Sequence, residues 1–413
     1  MGDRAGRDRP VPVLTARLGR SAGRGPVAAR TGWPLLVVVV GVALNLRPAI
    51  AAVPPVLETI QADLGLSATG AGLLTALPVV CMGLFAPVGA ALARRVGREA
   101  AVSAALALVA AGTLVRGLGA SAATLYGGTF CAGVGIAIGG ALLPEVVKAW
   151  FPARAGAVTG LYTAGLVGGA TLAAAATVPL MHALDAGWPA AVAAWGLLAL
   201  AALAAWVPVT RRPRAAAEPD PGRARLPWGS GVAWRVTLYM GLQSLLYYAA
   251  LTWLSPLYLA AGWPAGRAGL LLGLFSVTQI LSALTVPALA DRSGDHRPGV
   301  ALCVGLTTAM LAAFALVPTA APWVWAALLG LGVGGMFALA LTLLVKLASS
   351  PAAAARLSGM ALLVGYLLAA TGPVLAGALY DAAGSYRVPF LALAGIGLAT
   401  LALGVSVRPS ARV

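Results

Sequence analysis

One short stretch holds residues able to do chemistry in an otherwise apolar chain. It is Leu44-Asn45-Leu46-Arg47-Pro48, inside the run from Trp33 to Pro55. That run is long enough to cross a hydrocarbon core of about 30 Å. Arg47 follows Trp33 by fourteen residues, which at ~1.5 Å per residue places it some 21 Å along a helix. A charge at that depth costs roughly 2.5–3.5 kcal/mol on insertion scales. Pro48 has no amide hydrogen, so the carbonyl of Leu44 loses its helical partner near mid-membrane. Broken backbone there is tolerated only when it is buried in protein or lines a water-filled cavity. Arg47 is therefore expected to face a cavity and not lipid.

Two roles for Arg47 follow. A small anion or strongly polar solute completes its shell during transport, or Asn45, helix-end dipoles and the freed Leu44 carbonyl satisfy it structurally. Most of the twelve acidic residues fall in loops and tails. The nearest helical one, Glu145, is about 35 Å along its own span and so near the opposite end of the bilayer from where that span starts. The solute-binding role is the expectation, because intramembrane charges face pathways. Arg116, about 24 Å along its span, is placed equally well to capture solute or to snorkel to the headgroups. Asn45 either orients the solute or bonds helix to helix. Tyr162, Gln243, Tyr247 and Tyr366 fall at middle depths, where they are either packing residues or the few polar groups lining a small-ligand cavity.

The rest of the chain excludes most other chemistry. No paired carboxylates, metal-ligand cluster, nucleophile–base set or phosphate loop stands at catalytic spacing, so neither an enzyme nor a cofactor is expected. His182 and His296 fall in expected loops. Cys81, Cys131 and Cys303 lie in separate apolar runs and read as filler. The glycines at 133–140 and 330–335 lie inside helices, where small residues permit close packing. Trp253, Trp263 and Trp323 fit interface anchoring.

The elements that must position Arg47 are membrane helices. Of 413 residues, 60% are hydrophobic and 10% charged, and the mean hydropathy is +0.91; a soluble domain has about a quarter charged. Residues 1–32 read as a disordered basic cytoplasmic tail. After the first span come eleven more, near 68–93, 100–119, 122–147, 155–180, 190–209, 234–258, 267–290, 299–318, 321–345, 357–380 and 387–407. This gives a six-span bundle at 33–209, a cytoplasmic linker at 210–233, a second bundle at 234–407 and a tail at 408–413. With both termini cytoplasmic, 24 of the 28 Lys and Arg residues fall on the inner side, leaving only Arg47, Arg116, Arg267 and Arg387. The net charge of +16 is thus topological and implies no nucleic-acid partner.

The halves repeat each other. At an offset of 197, fifteen of the 33 positions from Gly65 to Gly97 are identical, including Ala71-Gly72-Leu73-Leu74 with Ala268-Gly269-Leu270-Leu271, Arg95 with Arg292, and Gly97 with Gly294. Parallel six-span repeats about the membrane normal are one way transporters are built.

Ala288-Leu289-Ala290-Asp291-Arg292-Ser293-Gly294 resembles the loop signature of major facilitator transporters; its counterpart Ala91-Leu92-Ala93-Arg94-Arg95-Val96-Gly97-Arg98 has Arg94 where that signature carries Asp. A narrower resemblance is to the cyanate permease and 2-nitroimidazole transporter family. It rests on Leu44–Pro48, Arg116, Gly133–Ala137, Leu143–Pro152, Thr159–Tyr162, Gly365–Leu368, and Gly372-Pro373 with Gly377. The resemblance implies an all-α integral membrane protein of the cell membrane, with twelve helices in two pseudo-symmetric bundles. It implies secondary active transport of a small polar or anionic solute by alternating access. Arg95, Gly97, Glu145, Lys148, Asp291, Arg292 and Gly294 are the candidate gating positions, although Glu145 and Lys148 also fit a topological charge beside a helix end. A coupling proton is a possible partner, yet no carboxylate lies at mid-membrane. Two alternatives stay open: a proton-coupled efflux pump for a planar drug-like solute, and a non-transporting sensor or scaffold. The drug-antiporter family carries a glycine-rich Gly-Pro signature in span 5. Here span 5 has Gly165, Gly168 and Gly169 without it and the Gly-Pro step falls in span 11, a departure from that resemblance which disfavours the pump. A monomer is expected.

Overall fold

The computed structural model describes residues 2, 32–118, 121–210, 226–293, 295–407 and 413. Nearly all of the basic tail, most of the linker and Gly294 lie outside them. The described chain is helical. The first span is broken into α1 (Trp33–Asn45), α2 (Pro48–Ala51), a 3-10 turn at Pro54–Val56, and α3 (Leu57–Leu64). The N-terminal half continues with α4 (Ala68–Val96), α5 (Arg98–Arg116), α6 (Ala122–Trp150), α7 (Ala155–Ala183) and α8 (Trp188–Thr210). The other half comprises α9 (Gly231–Ala260), α10 (Ala265–Ser293), α11 (Arg297–Leu316), α12 (Pro322–Lys346), α13 (Pro351–Ala383) and α14 (Arg387–Ser406).

These are the twelve expected spans. Eleven of them are long and apolar enough to cross a membrane on hydropathy alone. The twelfth, α9, falls short because it carries Thr237, Gln243, Ser244, Thr252 and Ser255, and all five are buried. A helix enclosed by its neighbours has little need of an apolar outer face. With an even number of crossings, the chain enters, links its halves and leaves on one side, the linker face; the other is the far face.

The first break follows from Pro48. The amide of Leu46 turns to the carbonyl of Ala43, three residues back, at 3.1 Å. Leu44's carbonyl, freed as the sequence predicts, lies so close to Gly169 of α7 that an added Cβ would overlap it. One turn earlier a Cβ on Gly165 would stand 3.2 Å from the carbonyl of Val40. The glycines of the fifth span thus admit the broken backbone of the first. A second break, not foreseen, comes from Pro54 and Pro55. The amide of Val53 turns to Ile50 at 3.4 Å, leaving the carbonyl of Ala49 to another donor.

The halves meet along α4 with α13 and along α7 with α10. Toward the far face both seams close to backbone contact. A Cβ on Gly72 would come within 2.5 Å of the Pro373 carbonyl, and one on Gly269 within 2.5 Å of the Ala174 carbonyl. Pro373's carbonyl also accepts from the indole of Trp253 at 2.9 Å. Trp253 is therefore core and not an interface anchor: it is 1% exposed and stacks with Tyr380. Toward the linker face the packing loosens. Past Gly83 only Gly89 of α4 is buried, and before Gly169 only Val158 of α7. The halves are in backbone contact toward the far face, and buried positions on α4 and α7 thin out toward the linker face.

Gly169→Ala should cost about 1–3 kcal/mol through overpacking against Leu44, read as a lower unfolding temperature in detergent. Gly168→Ala, where a Cβ meets open space, is the control and should leave that temperature unchanged.

Candidate functional site

Arg47 sits in the unwound turn between α1 and α2, just before Pro48. Its guanidinium crosses the seam to the other half of the molecule. Nη1 donates to the hydroxyl of Tyr248 on α9 at 3.3 Å, and Cζ stands 5.9 Å from the ring centroid of Tyr247. Tyr366 of α13 is the third phenol near this charge, and among the described residues none of the groups near it is a carboxylate. Tyr248 is buried, and its hydroxyl donates to Sδ of Met82 on α4 at 3.6 Å. Tyr247 packs edge-on against Tyr248, with centroids 4.7 Å apart, and parallel to Phe275 at 6.1 Å. Arg47, Tyr247 and Tyr366 each keep part of their surface accessible.

The chemistry of this group is anion or acceptor recognition. A bond from guanidinium to carboxylate is about 2.7–2.9 Å long, so 3.3 Å to a neutral phenol is a weak bond. A guanidinium presents a planar fork suited to two parallel bonds with a carboxylate-like acceptor. The rings beside it offer flat apolar walls and a cation–π contact.

The structure thus brings together Arg47, Tyr247 and Tyr366 and adds Tyr248 and Met82. Sequence reasoning missed Tyr248, although its place beside Tyr247, about 100° round the helix, was a usable signal. The other candidates lie elsewhere. Asn45 turns back along its own helix, Nδ2 donating to Gly41 at 2.8 Å. Gln243 is 1% exposed and bonds Met240 and Ser244, neighbours on its own helix. Tyr162 is only seven residues into α7, about 10 Å from its linker-face start, and is not among the groups acting on Arg47.

Arg116 does not reach outward to the headgroups. It is 1% exposed, and its Nη1 donates to the carbonyl of Ala49 at 2.8 Å. This is the carbonyl left over by the second break, so one arginine closes the broken segment that displays the other. Gly128 makes room for it, since a Cβ there would lie 2.8 Å from Cγ of Arg116.

At the linker face, Gly97 joins α4 to α5 with φ +93°, a left-handed turn that favours glycine. Arg95, Glu145, Lys148 and Arg292 are exposed at helix ends, and Nη1 of Arg98 donates to the carbonyl of Glu145 at 3.5 Å. Asp291 falls in the last turn of α10. His182 lies in the last turn of α7 rather than in a loop. His296 caps α11 and is buried, with Nε2 3.1 Å from the carbonyl of Val407; burial holds its pKa below the usual histidine value. Among the described residues, no three His, Cys, Asp or Glu side chains gather as a metal site.

Comparison with known proteins agrees with this architecture. Residues 35–373 match the Major Facilitator Superfamily. The chain is 37% identical over 364 residues to the uncharacterized transporter YycB of Bacillus subtilis, covering 87% of this chain and 89% of that one. It is 37% identical to the 2-nitroimidazole transporter of Escherichia coli, covering 90% and 94%. To the cyanate transport protein CynX of the same organism it is 34% identical, covering 89% and 96%. Among solved structures, a mutant form of the nucleoside transporter NupG superposes with TM-score 0.75 at 10% identity, over 91% of this chain and all of that one; this shows the fold. With two six-span halves and full-length relatives of this kind, the chain belongs to the major facilitator superfamily, within the family of the cyanate and 2-nitroimidazole transporters.

Proposed function

We propose that this membrane transporter is a secondary active permease for a small planar anion, or a planar solute with paired acceptor oxygens, working by alternating access. One observation carries this reading: Arg47 stands at the joint of the two halves with only neutral phenols around its charge. A carboxylate-like group would take two guanidinium donors, displace the weak bond to Tyr248 and lie flat between the tyrosine rings. Of the solutes named for two relatives, 2-nitroimidazole is flat with paired nitro oxygens, and cyanate is a small linear anion with one acceptor atom at each end. Because Tyr247, Tyr248 and Tyr366 come from one half and Arg47 from the other, the occupied site would draw the halves together. The concentration of Lys and Arg in the segments on the linker side supports reading that face as the cytoplasmic one.

In reconstituted liposomes, Arg47→Ala should abolish counterflow of the best-bound anion while membrane expression persists. Arg47→Lys keeps the charge without the fork and should weaken binding roughly 10- to 100-fold. The anion is chosen by thermal shift across cyanate, small carboxylates, nitroimidazoles and amino acids. Equal counterflow by wild type and Arg47→Ala, or stabilisation by cations alone, would overturn the proposal. Tyr248→Phe should lower the stability of the empty protein by about 1–2 kcal/mol. Because occupancy displaces that bond, the same ~1–2 kcal/mol should reappear as roughly 5- to 30-fold tighter binding of the anion; parallel melts with and without anion measure both.

A further inference from the structure

The far-face end of α4 is completed by a residue from the other half of the molecule. Asp381, in the last turn of α13, accepts from the amides of Ala68 and Thr69, each at 2.8 Å, and from the Thr69 hydroxyl at 2.6 Å. The first amides of any helix lack intrahelical partners. Here Ser67 Oγ takes the amide of Gly70 at 3.1 Å, and the foreign carboxylate takes the two before it. Its negative charge also meets the positive end of the helix dipole. An aspartate is short, so it reaches only while the backbones touch. Gly377, one turn below on α13, lies directly on the carbonyl of Ala68, and Gly72 lies on that of Pro373.

We propose that Asp381 is a far-face latch: its bonds to Ala68 and Thr69 hold the halves closed on this side and must be released for the far face to open. This rests on the alternating-access reading above. Asp381 is exposed, so on release both the carboxylate and the amides return to water. The latch therefore biases the equilibrium between the two states and does not lock it. Losing a capping side chain shifts such an equilibrium by about three- to tenfold.

The test uses the full chain with Cys81, Cys131 and Cys303 replaced by alanine and spin labels at Leu184 and Val317, exposed far-face positions on opposite halves. Asp381→Asn should raise the population with a longer interlabel distance by about three- to tenfold. Thr69→Val, which removes only the hydroxyl donor, should give a smaller shift in the same direction. Separately, a disulfide between Thr69→Cys and Asp381→Cys should stop counterflow until reductant is added. An unchanged distance distribution in Asp381→Asn, with or without lower thermal stability, overturns the latch. If the disulfide still stops transport in that case, alternating access stands and only the latch falls. If the cross-linked protein transports normally, both fall.

Discussion

A guanidinium held deep in a membrane span, with no carboxylate among the described residues beside it, is the constraint on which this molecule depends. Such a charge is tolerable only where neighbouring groups supply dipoles and where water or solute can approach it. The protein meets both conditions by breaking the first span at Arg47-Pro48 and setting the break at the joint between its halves. The phenols of Tyr247, Tyr248 and Tyr366 supply partial charge without neutralising the cation. Its side-chain bond to Tyr248, at 3.3 Å, is a weak one.

Broken backbone creates polar groups that must be answered locally, and the surrounding helices are shaped to do so. Gly169 leaves room for Leu44's carbonyl without giving it a side-chain donor, and Ala49's carbonyl is taken by Arg116. Two intramembrane arginines therefore have different tasks on one segment. One faces the joint between the halves, while the other secures the kink from behind. A buried carbonyl without a donor costs about 1–3 kcal/mol, a cost that the contact with Arg116 spares at Ala49. Nε and Nη2 of the same guanidinium are buried with no partner among the described residues.

The two faces of the protein are built differently. Toward the far face, glycines let the halves close to backbone contact, which excludes water and brings Asp381 within reach of α4. Toward the linker face, α4, α7 and α10 bury few residues. Arg47 lies between these regimes, at the depth where the close contact of the far face ends. A solute entering from the linker face would meet the cation at the end of its path.

Much of this was legible from residue types alone. Hydropathy, the distribution of Lys and Arg, and the repeat at an offset of 197 specify twelve spans in two halves, because the bilayer punishes every exception to those patterns. The unusual standing of Arg47 and the break at Pro48 were equally plain, since a charge and a missing amide at mid-membrane need no knowledge of neighbours. What surrounds them did need it. Tyr248 was chosen as partner by how α9 is rotated against α1; Gln243, one turn before Tyr247, was rotated into packing. Arg116 fitted solute capture and headgroup snorkelling equally well until Ala49's free carbonyl stood beside it, and Asp381 meets Ala68 across more than three hundred residues of sequence. Chain order determined what each span can tolerate, because the membrane acts on every helix separately. Which side chains meet was decided only by tertiary packing, because helix rotation and depth are set by contacts between spans.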